Sequence, residues 1–129
     1  MKIEKRAQII TKKFLRRLKK ENCYLEIYFV SGKKMKFLNK KFRGKNKSAN
    51  ILSFGEPENF PHPETSKKIL GEIYLNSSAF ARASADKQLQ LLNTLLAHGL
   101  LHLLGFQHQR KSDRIKMEQK ERWLTSSRL

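Results

Sequence analysis

Stretches with apolar residues at helical spacing alternate along the chain with short runs rich in β-branched and aromatic residues. From Ala7 to Lys20, Ile9, Ile10, Phe14 and Leu18 fall on one helical stripe, and Lys12, Lys13, Arg16, Arg17, Lys19 and Lys20 fill the rest. Cys23 to Val30 is rich in β-branched and aromatic residues and predicts a strand, ended by Ser31-Gly32. Helical spacing returns from Lys33 to Phe42 through Met35, Leu38 and Phe42, and Gly44 closes that helix. Ala49 to Phe54 predicts a short strand. Residues 55–67 hold all three prolines and predict an irregular loop. Ile69 to Leu75 predicts a strand and Ser77 to Ser84 a short helix. From Asp86 to Leu104 leucines leave only a narrow polar edge, the pattern of a central, buried helix. Gly105 stands where a helix end needs a left-handed residue. Ser112 to Thr125 predicts a last helix, with Ile115, Trp123 and Leu124 directed inward. The expected fold is one α+β domain over residues 1–129. A small mixed sheet of about four strands packs with about five helices.

Charge adds a partner to this picture. Lys and Arg outnumber Asp and Glu 28 to 11, a formal net charge of +17 on 129 residues. Residues 1–47 hold 17 of those cations and three acids (Glu4, Glu21, Glu26), a net +14. Such asymmetry builds a positive field on one side and draws in a polyanion, nucleic acid before an anionic membrane surface. No stretch reaches the roughly 18 consecutive apolar residues of a membrane span, and no signal peptide is visible, so the expectation is a cytoplasmic protein. Cys23 is the lone cysteine and is expected to be a buried, inert thiol.

The narrow polar edge of the leucine-rich helix consists of Gln90, Thr94, His98 and His102, four residues apart. Residues at i and i+4 share a helix face, so the imidazoles of His98 and His102 can meet at one metal ion. After the break at Gly105 the chain can return His108 to the same face. Three imidazole donors leave a fourth tetrahedral position open, which is the catalytic arrangement of zinc. Nickel, cobalt and ferrous iron also suit imidazole. Proteases of the H-E-x-x-H type carry their general base directly after the first histidine. Gly99 occupies that place, which argues against a protease. His62, in the proline loop, is expected to be solvated, and Glu118 and Glu121 to be ordinary helix-surface charges.

The segment His98-Gly99-Leu100-Leu101-His102-Leu103-Leu104-Gly105-Phe106-Gln107-His108 closely resembles the H-G-x-L-H-L-x-G-[YF]-D-H signature of the YbeY family of ribosomal-RNA maturation factors. Leu38 to Lys45 is similar to the family's Asn-x-x-[YF]-Arg-Gly element. Ser48 to Phe54 is similar to its T-[DN]-V-L-S-F strand, and Leu70-Gly71-Glu72-Ile73 to its L-G-D-I strand. The match runs over roughly residues 25–124. The resemblance implies an α+β fold and a metal-dependent, single-strand-specific endoribonuclease. It implies action at the 3′ end of small-subunit ribosomal RNA and in ribosome quality control. By position His98, His102 and His108 become the metal ligands and Arg43 the arginine at the scissile phosphate. Composition alone does not select Arg43 from Lys41 or Lys45, although guanidinium suits bidentate phosphate binding. Gln107 stands where the family has Asp and can hydrogen-bond a ligand histidine without charge. Glu72 replaces another Asp, either to orient a ligand, to move a proton or to serve only the fold.

Three functional readings result. The first is a zinc-dependent endoribonuclease whose partners are ribosomal RNA and the ribosome or its small subunit. The second is an RNA-binding assembly factor with a structural metal. The third is a metallohydrolase of another substrate, for which the basic half has no purpose.

Overall fold

A computed structural model describes residues 2–56, 67–106 and 109–126. Five helices and three strands appear among them: α1 (Ile3–Arg17), β1 (Cys23–Val30), α2 (Gly32–Arg43), β2 (Ile51–Gly55), β3 (Lys68–Asn76), α3 (Ser77–Ala81), α4 (Ala85–Leu103) and α5 (Lys111–Thr125). The helices and strands read from sequence thus become the elements, with ends moved by at most four residues.

The sheet has the order β1-β3-β2. β3 pairs parallel with β1 and antiparallel with β2, so the sheet is mixed. The expected count of about four strands is corrected to three among the described residues. Outside the helices they offer only three runs rich in β-branched and aromatic side chains. Gly71 opposes Gly55 in the register of β3 and β2. Its φ of 149° and the Phe54 carbonyl oxygen, 2.1 Å from where a Cβ would stand, leave room for no other residue.

Pleat alternation divides β3 between two layers. Ile73 and Leu75 are buried and face the larger core, built with Ala7, Ile10 and Phe14 of α1 and Leu92, Leu96, Ala97, Leu100 and Leu101 of α4. Each fully buried leucine there contributes about 1.5–3 kcal/mol of transfer free energy. Tyr74 faces the other layer, where Met35 and Leu38 of α2 cover Leu52. Helix α5 packs on α4 through Met117 and Leu124, both at most 1% exposed. Cys23 is buried, as expected.

Several expected inward residues lie outside. Ile9, Phe42, Ile115 and Trp123 are exposed, whereas Ala7, Thr11 and Met117 are buried. The correct α5 stripe is Met117, Glu121 and Leu124, at i, i+4 and i+7. Trp123 instead carries two cations over its ring, with the Arg17 guanidinium 4.5 Å and the Lys120 ammonium 4.4 Å from its ring centre. Arg17 also donates to the carbonyls of Leu124 and Ser126, which ties α1 to the last turn of α5. The central helix is buried only from Leu92 to Leu101, and its first two turns stand in solvent.

Candidate metal centre

Helix α4 begins at Ser84, whose hydroxyl accepts from the Lys87 amide. It runs unbroken to Leu103, and Gly105 follows at φ 100°. The first two candidate ligands therefore lie on regular helix, one turn apart. Their Nε2 atoms are 3.2 Å from each other, and the rings meet edge to face at 4.6 Å between centroids. Two nitrogens bound at about 2.0–2.1 Å to one tetrahedral ion would lie about 3.3 Å apart. The imidazole pair therefore fits a shared divalent ion in both donor chemistry and spacing.

Nδ1 of His98 lies 2.9 Å from Oε1 of Glu121 on α5. A carboxylate only accepts, so the imidazole proton belongs on Nδ1 and the lone pair on Nε2. That is the tautomer a metal ligand needs, and a carboxylate behind a ligand imidazole also raises its basicity. The side chains of His98 and Glu121 are 35% and 22% exposed, so the pair is open to a substrate from solvent yet partly shielded. Glu121 corrects the expectation of an ordinary surface charge. Its signal was present in the sequence as an acid on the stripe shared with Met117 and Leu124. Among the described residues no three His, Cys, Asp or Glu form a group that could hold an ion. The third expected ligand, His108, with Gln107 and His62, lies outside the described residues.

Gly99 has a structural reason to be glycine. It faces the sheet, and a Cβ there would stand 2.8 Å from Cδ1 of Ile51 and 3.0 Å from Cδ1 of Ile73. A side chain at this position would enter the seam between α4 and the sheet, away from the face that carries the histidines. The glycine thus lets α4 lie close to β2 and β3, and the missing protease glutamate would have found no space.

Arg43 ends α2, and Gly44 caps the helix at φ 70°. The buried Asn39 side chain donates to the Lys47 carbonyl at 2.9 Å and pins the loop that follows. The guanidinium is exposed and makes a long bond, 3.4 Å, to the Ser53 carbonyl. Arg43 and the histidine pair thus sit on helices packed against opposite faces of β2. Glu72 lies on the α2 side of the sheet, where its Oε2 accepts from the Tyr74 hydroxyl at 2.5 Å. In β1, Glu26 accepts likewise from Tyr28. Both phenols are pushed up to about 12, first by these hydrogen bonds, then by burial and by the nearby carboxylates. Glu72 is engaged in this tyrosine–glutamate layer and not with the histidines. No helix among the described residues is long and apolar enough to cross a membrane.

The family model described as Endoribonuclease YbeY matches residues 1–127. Curated relatives carrying that name include one from Thermodesulfovibrio yellowstonii, 40% identical over 80% of this chain and 65% of its own length. One from an Anaeromyxobacter species is 32% identical over 84% of the chain and 56% of its own length. One from a Sulfurihydrogenibium species is 31% identical over 84% and 71%. The chain spans between about half and two thirds of the length of the first of these relatives. In fold it is similar to the solution structure of a Thermotoga maritima protein, with a TM-score of 0.61 over 97% of this chain and 82% of that one, at 24% identity.

Proposed function

The chain belongs to the YbeY family, and on that premise we propose that it is a metal-dependent endoribonuclease that cuts single-stranded RNA. Its task is ribosomal RNA maturation at the 3′ end of the small-subunit RNA, together with ribosome quality control. Its partners are then ribosomal RNA and the small subunit, and its location is the cytoplasm. The observation that carries the reading is the convergence of two Nε2 atoms at 3.2 Å, with a carboxylate holding the proton of one ring on its far nitrogen. His98, His102 and His108 would hold the ion, zinc before nickel. When bound, it supplies Lewis acidity to a phosphoryl oxygen and to the attacking oxygen.

The protein's own groups do the remaining work. Glu121 keeps the His98 lone pair directed at the site. The Arg43 guanidinium, exposed beside β2, binds the scissile phosphate and offsets the charge that develops on it. The +14 of residues 1–47 gathers the polyanion before either contact forms. Gln107 offers a neutral hydrogen bond beside the third ligand in place of a carboxylate.

The test offers single-stranded and duplex RNA to the zinc-loaded protein and to His98→Ala, His102→Ala and Arg43→Ala variants. Single strands should be cut and duplexes spared. The histidine variants should lose metal and cleavage together. Arg43→Ala should keep its metal and cut at least about tenfold more slowly, the scale of one charge-assisted contact. Equal cleavage by the parent and both histidine variants would refute the reading. Chelation that abolishes cleavage but leaves the fold intact separates it from an assembly factor with a structural metal.

A further inference from the structure

The outer surface of α2 has a composition that its packing does not explain. Between Ser31 and Asn50 the chain carries eight Lys and Arg and no Asp or Glu. Two phenylalanines stand in the middle of this charge, Phe37 at 53% and Phe42 at 59% exposure. The helix already has its buried side in Met35, Leu38 and Asn39. Lys34, Phe37 and Lys41 form a second stripe at i, i+3 and i+7, directed away from it. The Lys34 ammonium lies 5.1 Å from the Phe37 ring centre, and that of Lys41 lies 5.8 Å from Phe37 and 5.4 Å from Phe42. Phe42 follows on the side of the buried stripe at the helix end, where it meets Phe54 of β2 edge to face at 5.4 Å. Arg43 follows directly.

Exposed aromatic rings interleaved with cations are what a flexible, unpaired polyanion with flat bases requires. Rings take the base faces and ammonium groups take the phosphates. Duplex RNA keeps its bases stacked inside and gains nothing from the rings. We propose that Lys34, Phe37 and Lys41 on the outer face of α2, with Phe42 at its C-terminal end, form a stacking platform that holds single-stranded RNA beside Arg43. This rests on the RNA reading above and extends it, since it gives the preference for single strands a location on α2 and not on the helix that carries the histidines.

Binding is measured with the full chain carrying His102→Ala, so that RNA remains intact. A short single strand containing 2-aminopurine reports stacking by quenching, and anisotropy reports affinity across a salt series. Phe37→Ala and Phe42→Ala should each weaken binding about fivefold or more, the lower end of what stacking one base contributes. The slope of affinity against salt should stay unchanged. Lys34→Ala and Lys41→Ala should instead reduce that slope by about one each. Phe37→Trp should restore affinity and quenching, whereas Phe37→Leu, which keeps apolar bulk without a π face, should not. Parent-level binding by both alanine variants, or full rescue by leucine, overturns the platform while leaving the nuclease reading in place. A parent that binds no RNA yet sediments with anionic phospholipid vesicles overturns both and makes the face a membrane contact.

Discussion

Replacing Glu121 by alanine removes the carboxylate that accepts the Nδ1 proton of His98 at 2.9 Å. The imidazole is then free to turn and to place its proton on Nε2, where a metal ligand needs a lone pair. Loss of such a partner costs about 10–100-fold in metal affinity. His98 is 35% and Glu121 22% exposed, so water replaces part of the lost bond. The lower end, about tenfold or about 1.4 kcal/mol, is therefore expected. Glu121→Gln keeps an acceptor but no charge and should fall between the two. Competition against a chelator of known zinc affinity measures the change. Thermal unfolding of the metal-free forms gives the control, because a partly exposed pair contributes about 1 kcal/mol or less to the fold. Zinc bound as tightly by Glu121→Ala as by the parent would refute the role of Glu121, and so would a loss fully accounted for by lower stability.

Gly99→Glu should not create a protease base. It forces a carboxylate between α4 and the isoleucines at 51 and 73, and denaturant unfolding should show a loss of about 3 kcal/mol or more. Gly99→Ala meets only the far ends of those two side chains and should cost about 1 kcal/mol or less after its gain in helix propensity. Gly71→Ala collides with the Phe54 carbonyl and strains a backbone at φ 149°, so a loss of about 3 kcal/mol or more is expected in the same assay. The phenolate absorbance of Tyr28 and Tyr74 should rise near pH 12, and Glu72→Gln should bring the Tyr74 step to lower pH. The native state favours the neutral phenols. Their contribution to stability is therefore complete below pH 10 and is lost as the pH rises from 10 towards 12.

The elements were readable because their signals are local. The β-branched and aromatic run over Cys23–Val30 and the nearly all-round leucines of α4 are properties of neighbouring residues alone. Helix geometry placed His98 and His102 on one face, since one helical turn separates them whatever else the chain does. The basic first third was equally plain, because charge counts need no fold. Expectations failed where inwardness depended on a neighbour. Phe42 keeps the spacing of a buried residue, yet it packs on Phe54 of the edge strand β2 and stays 59% exposed. Ile115 and Trp123 looked as apolar as Met117, but only the stripe through Met117 and Leu124 meets α4.

By itself, then, the sequence determined the helices and strands, the paired imidazoles and the concentration of positive charge in the first third, all of which reside in residues a few positions apart. Tertiary structure decided the rest. It brought Glu121 to His98 across 23 positions, put Glu72 on the tyrosine side of the sheet, and set β3 between β1 and β2. It also explained why residue 99 has no side chain, since Ile51 and Ile73 occupy the space beside it. These contacts join segments whose meeting depends on how whole layers pack, and no local period records that.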